Sequence, residues 1–141
     1  MNDKVFLDTN ILIYCYSVDE KEKQYKALSL LEKHSDNSLI STQVINELSN
    51  ILFKKFKLTS IEIENTILEI DNYVNIVNFT LTTQIKALKI KEKYKLQFYD
   101  SLIIATALEN KCTILYSEDM QDNFIIDSVL TIINPFKELK Q

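Results

Sequence analysis

Apolar positions along the chain fall into two rhythms that alternate. Short unbroken runs rich in β-branched and aromatic residues have the length and make-up of buried strands: Val5-Phe6-Leu7, Leu39-Ile40, Val74 to Phe79, Thr113 to Tyr116 and Leu130 to Ile133. Between them, apolar residues recur three and four apart, the spacing of one helix face. One helix is expected from about Ile11. A second runs through Glu20 to Lys33, with Ala27, Leu28, Leu30 and Leu31 facing the core. Asp36-Asn37 is turn chemistry. Ser41 or Thr42 can cap a third helix bearing Val44, Ile45, Leu48, Ile51, Leu52 and Phe56. A fourth starts after Thr59-Ser60 and carries Ile61, Ile63, Ile67, Leu68 and Ile70. Residues 82–95 form a lysine-rich amphipathic helix, and the nearly all-apolar stretch Phe98 to Glu109 reads as a central, buried one. Strands alternating with helices predict an α/β fold with a central, mainly parallel sheet of about five strands flanked by helices.

Acidic residues stand where four of these elements begin or end. Asp8 follows the first strand, Glu47 lies in the first turn of its helix, Asp100 opens the buried helix, and Asp119 follows the fourth strand within Ser117-Glu118-Asp119. Ligand sites in open parallel sheets form beyond the carboxyl ends of the strands, so these acids are expected to share one edge. Taken singly, each has an ordinary explanation as a helix cap, a dipole partner or a turn residue. Gathered together, carboxylates repel and raise one another's pKa unless cations neutralise them. Oxygen donors with retained water suit Mg²⁺ or Mn²⁺, and such ions activate water for phosphodiester hydrolysis.

Composition narrows the chemistry. With 141 residues, 46% of them hydrophobic and 26% charged, the chain is expected to form a single domain over 1–141. It contains no glycine, which excludes Gly-rich phosphate loops and dinucleotide fingerprints. Its one histidine, His34, excludes a His-rich zinc site and is expected at the exposed end of its helix. All 16 basic residues are lysines, so phosphate contacts would be made by point charges rather than bidentate forks. A net charge of −4 argues against a passive nucleic-acid binder but not against a nuclease whose acids hold metal. No apolar run is long enough for a membrane span, and the N-terminal Met-Asn-Asp-Lys lacks a signal-peptide pattern. Cys15 and Cys112 lie in apolar contexts and read as free buried thiols. The expected location is the cytoplasm.

The local sequences resemble the PIN-domain family, and within it the VapC-type toxins. Val5-Phe6-Leu7-Asp8-Thr9-Asn10-Ile11-Leu12 resembles the opening strand with its Asp-x-Asn signature. Ile45-Asn46-Glu47-Leu48 resembles the second motif, and Tyr99-Asp100-Ser101-Leu102-Ile103-Ile104-Ala105-Thr106-Ala107-Leu108 the third. Leu115-Tyr116-Ser117-Glu118-Asp119 resembles the last. The resemblance covers essentially the whole chain in the family's order. It implies a PIN-like, three-layer α/β/α fold and an endoribonuclease that uses Mg²⁺ or Mn²⁺. Asp8, Glu47, Asp100 and Asp119 would be catalytic and metal-binding, with Asn10 and Ser117 orienting them. It also implies an RNA substrate, a homodimer and a cognate antitoxin protein, as for the toxin of a type II toxin–antitoxin pair. Glu118 and Asp122 flank the fourth acid and compete for its role.

Among other residues, Lys54, Lys55 and Lys57 are candidate RNA-phosphate contacts. Lys86, Lys89, Lys91, Lys93 and Lys95 read as a solvated face. Tyr94, Phe98 and Tyr99 offer rings for base stacking, but aromatics beside a buried helix are expected to pack in the core. Tyr14, Tyr16 and the helix over 61–70 are also read as packing residues. Two other functions compete: a phosphotransfer or phosphatase domain with Asp8 as nucleophile, and a catalytically inactive interaction module.

Overall fold

The computed structural model describes residues 3–139; residues 1, 2, 140 and 141, which the single-domain and N-terminal expectations include, lie outside the described residues. The chain alternates strands and helices: β1 (Val5–Leu7), α1 (Thr9–Cys15), α2 (Lys21–Lys33), β2 (Ser38–Ser41), α3 (Thr42–Lys54), α4 (Ser60–Asp71), β3 (Asn75–Val77), α5 (Leu81–Tyr94), α6 (Phe98–Glu109), β4 (Ile114–Tyr116), β5 (Ile125–Ile126) and β6 (Leu130–Ile133). The sheet runs β3-β2-β1-β4-β6-β5 between flanking helices, a three-layer α/β/α arrangement. Its strands pair in parallel except for β5, which is antiparallel to β6.

From β1 the chain builds outward through β2 and β3 on one side. It returns to lay β4 on the other, with Leu7 in register with Tyr116. The β1–β4 seam is therefore the point where strand order reverses, the place where an α/β sheet opens a crevice at its carboxyl edge. Asp8 and Ser117 are the first residues past that registered pair.

Local sequence sets the helix starts. Asp8 caps α1 by accepting a hydrogen bond from the Thr9 backbone N–H at 2.7 Å, so α1 begins two residues earlier than its apolar periodicity indicates. Ser41 caps α3 through Val44 N–H. Because that helix starts at Thr42, Glu47 lies in its second turn rather than the first. Thr59 with Glu62, and Thr80 with Thr83, form reciprocal caps at α4 and α5. Without glycine, left-handed backbone falls to other residues: Lys57, Lys95 and Lys111 just past helix ends, and Asn123, Asp127 and Ser128 around β5. Asn and Asp tolerate that region, whereas lysine adopts it at a cost.

The core is continuous. Phe6, Leu7, Ile11, Leu12, Ile40, Leu48, Leu52, Ile103, Ile104 and Leu115 are fully enclosed, and α6 is buried from Ser101 to Ala107 as its composition predicts. Cys15 and Cys112 are free and buried. His34 departs from expectation. Its ring is buried against Tyr116, with Nε2 3.3 Å from the tyrosine hydroxyl and Nδ1 3.3 Å from Asn37 Oδ1. The Tyr116 side chain of β4 reaches the end of α2, a contact that periodicity within α2 alone does not reveal. Among the described residues, no helix is long and apolar enough to cross a membrane.

Candidate active site

Four elements bring acids to one open cleft of about 910 Å³. Its walls include Asp8 after β1, Glu47 on α3, Asp100 in the first turn of α6 and Asp119 after β4. Asp8 is buried, Glu47 and Asp100 are half-buried, and Asp119 is exposed. Each sits there for a sequence reason. Asp8 and Asp119 follow adjacent parallel strands that end at the same edge, and Glu47 and Asp100 lie near helix N-termini directed to that edge.

A polar scaffold fixes three of the four. Ser117 Oγ donates to Asp8 Oδ2 at 2.7 Å while Thr9 N–H occupies Oδ1 at 2.7 Å. Asn10 Nδ2 donates to Asp119 Oδ2 at 3.0 Å, and Asn10 Oδ1 accepts from the Glu118 backbone N–H at 3.4 Å. Glu47 is held from two sides, by Gln43 Nε2 on Oε1 at 2.7 Å and Thr9 Oγ1 on Oε2 at 3.2 Å. Spacing offers a signal for Gln43, since it precedes Glu47 by four residues on one helix face. Thr9 carries no comparable signal.

The two rivals of Asp119 are engaged elsewhere. Glu118 points away, to the Tyr14 hydroxyl at 2.6 Å and Lys23 Nζ at 2.7 Å. Asp122 accepts from the Asn134 N–H and pairs with Lys137 at 3.4 Å. Neither lines the cleft, whereas Asp119 does.

Electrostatics reflect the crowding. Burial pushes the Asp8 carboxyl up to about 6 against the pull of the Ser117 and Thr9 donors, and nearby Glu47 and Asp100 push the same way. Asp100 is also raised, first by burial and then by Asp119 and Glu47. Cations would relieve both effects. Among the described residues, no three His, Cys, Asp or Glu side chains converge tightly enough to form a ready-made metal group. The acids nonetheless offer only oxygen donors, spread along an open cleft. That fits Mg²⁺ or Mn²⁺, which keep several waters and take only one or two carboxylates directly, and does not fit Zn²⁺.

Other candidates divide. Lys54 and Lys55 line the cleft and Lys57 does not. The five lysines of the second cluster lie away from it, with Lys93 paired to Asp127. Tyr94 and Phe98 are half-buried, in line with packing, but Tyr99 is 67% exposed and lines the cleft. Tyr99 lies in the first turn of α6, ahead of the stretch from Ser101 to Ala107 that the core encloses. Tyr14 and Tyr16 pack partly against the core and reach the cleft wall.

A family model for the PIN domain matches residues 5–124. No curated protein matches the sequence closely. Among solved structures, the fold is similar to that of a toxin–antitoxin complex from Klebsiella pneumoniae, at TM-score 0.73 and 23% identity, covering 94% of this chain and 98% of that one. It is similar to VapC20 of Mycobacterium tuberculosis, described as a sarcin–ricin loop-cleaving toxin, at TM-score 0.67 and 13% identity over 82% of this chain and 90% of that one. It is also similar to VapBC2 from Rickettsia felis bound to a promoter DNA fragment, at TM-score 0.66 and 17% identity over 91% and 96%. With the family model spanning most of its length and the fold in agreement, this chain belongs to the PIN-domain family.

Proposed function

We propose that the protein is a Mg²⁺- or Mn²⁺-dependent endoribonuclease, the toxin of a type II toxin–antitoxin pair, with Asp8, Glu47, Asp100 and Asp119 as its metal-binding and catalytic residues. The observation that carries this reading is their meeting in one cleft, with Asp8 and Asp100 both pushed upward by burial and by their acidic neighbours. A bound divalent ion activates water and neutralises charge developing on the phosphoryl oxygens. Asp8, held by Ser117 and Thr9, gives the site a fixed carboxylate at its buried end. Glu47, gripped by Gln43 and Thr9, faces it from α3, and Asn10 steers Asp119 from the strand edge. Lys54 and Lys55 supply positive charge along the same cleft for RNA phosphates.

The phosphotransfer alternative fits less well. Asp8 is 6% exposed with both oxygens already accepting hydrogen bonds, a poor state for a phosphoryl acceptor. An inactive module gives no reason for the buried, mutually repelling acids.

The partner proposals draw on the resemblance and on the toxin–antitoxin complexes that share the fold. For the homodimer, added support comes from Leu81, Ile85 and Leu88. They form a stripe along α5 and are 72%, 47% and 54% exposed.

The test is RNA cleavage by purified protein with Mn²⁺. The expected result is cleavage that EDTA stops and that Asp8→Asn and Asp100→Asn each reduce by at least about a hundredfold. Cleavage by both variants at the wild-type rate would remove the assigned site.

A further inference from the structure

We propose that the Tyr99 ring is a stacking platform for an unpaired nucleobase beside the bond that is cut, and that Gln43 is the positioning residue that keeps this platform in register with Glu47. The inference rests on the RNA-cleaving function above and assigns a specificity-determining role to these two residues.

Tyr99 is 67% exposed at the start of a helix whose residues from Ser101 to Ala107 are all buried. It lines the cleft immediately beside Asp100, and Phe98 meets its ring edge-on at a centroid distance of 5.5 Å. An aromatic face next to phosphodiester chemistry accepts any unpaired base, because every base has a π-face. In a duplex those faces are already covered by neighbouring base pairs.

Gln43 supplies an independent observation. It is 7% exposed, and its Nε2 donates both to Glu47 Oε1 at 2.7 Å and to the Tyr99 backbone carbonyl at 3.4 Å. Both partners are acceptors, so the amide orientation is fixed and its Oε1 is left buried with no partner. A buried acceptor without a donor is unfavourable and uncommon in native proteins. Here it follows from one amide tying the acid on α3 to the aromatic turn of α6. Lys54 lies on the same cleft-facing side of α3, roughly 10 Å along the helix from Glu47. A strand lying along this face would meet a lysine, then the acids, then the ring.

The chain contains no tryptophan, so Tyr99→Trp introduces a single fluorescent indole on an exposed site. The probe is single-stranded octa-adenylate RNA, with Ca²⁺ in place of Mn²⁺ and the RNA checked to be intact. The expected result is quenched indole emission with the single strand and none with a blunt, G·C-rich RNA duplex. Tyr99→Ala should bind the single strand roughly tenfold more weakly, and Tyr99→Phe should restore binding. In turnover with Mn²⁺, Tyr99→Ala should raise KM with little loss of kcat. Gln43→Leu, which disturbs Glu47 as well, should lower kcat too. Unchanged emission together with wild-type affinity for Tyr99→Ala overturns the platform, whether or not RNA is cut. Quenching without any Mn²⁺-dependent cleavage upholds the platform and defeats the nuclease reading instead.

Discussion

Ser117 Oγ donates a 2.7 Å hydrogen bond to Asp8 Oδ2, joining residues 109 positions apart at the seam where β1 and β4 lie side by side. The hydroxyl opposes the upward push of burial on the Asp8 carboxyl. Ser117→Ala should therefore raise Asp8 further, so that Mn²⁺, which needs the ionised carboxylate, binds about tenfold more weakly at neutral pH and regains affinity in alkaline buffer. An affinity lowered uniformly at every pH would contradict this role.

The raised Asp8 carboxyl has a consequence for stability without metal. An acid whose folded-state pKa exceeds its unfolded value opposes folding when ionised. The cost is absent below an unfolded value of about 3.9, grows as pH rises, and is complete above about 6. In EDTA at pH 8, Asp8→Asn should be more stable than wild type by roughly 2–3 kcal/mol, and the gap should close by about pH 4. Urea unfolding at the two pH values checks this; a variant less stable than wild type at pH 8 would refute it.

His34 has the opposite sign. Burial lowers its pKa, so the unfolded chain takes up a proton first as pH falls. Its contribution is intact above the unfolded value of about 6.5 and is lost as pH drops through that value toward the folded one. His34→Gln should lose less stability than wild type between pH 7.5 and 5.5. Chemical denaturation midpoints give the comparison, and identical slopes would show that the buried ring does not titrate on unfolding.

Lys54 and Lys57 separate cleft from surface. Lys54 lines the cleft and Lys57 does not. Lys54→Ala should weaken RNA binding and reduce the slope of log affinity against log salt by about 0.7, the value for one single-strand phosphate contact. Lys57→Ala should leave both unchanged. Equal effects from the two substitutions would mean that RNA runs outside the cleft.

These residues also show what could be read from sequence. Asp8 and Asp100 were legible because each bounds an apolar element, and the alternation of elements carried the parallel sheet. β5 was not legible, since Ile125–Ile126 is too short for any periodicity and pairs antiparallel only because residues 127–129 turn back onto β6. The burial of His34 depends on Tyr116, 82 positions away. Tyr99 reads as core because its helix is apolar, yet only position in three dimensions shows that the first turn of α6 borders the cleft. Glu118 and Asp122 are engaged by Tyr14, Lys23 and Asn134, none of which adjoins them in sequence, so only the folded chain shows that Asp119 alone of the three lines the cleft.

The most direct measurement for the central claim is the melting temperature of wild type and Asp100→Asn across a Mn²⁺ titration begun in EDTA. An ion bound only by the native state stabilises it in proportion to RT ln(1 + [Mn²⁺]/Kd). The four-acid cleft predicts that wild type rises by several degrees and that Asp100→Asn, starting at or above the wild-type value, stays nearly flat. Parallel curves for the two proteins, or no rise in wild type, would place the metal elsewhere or nowhere and contradict the account.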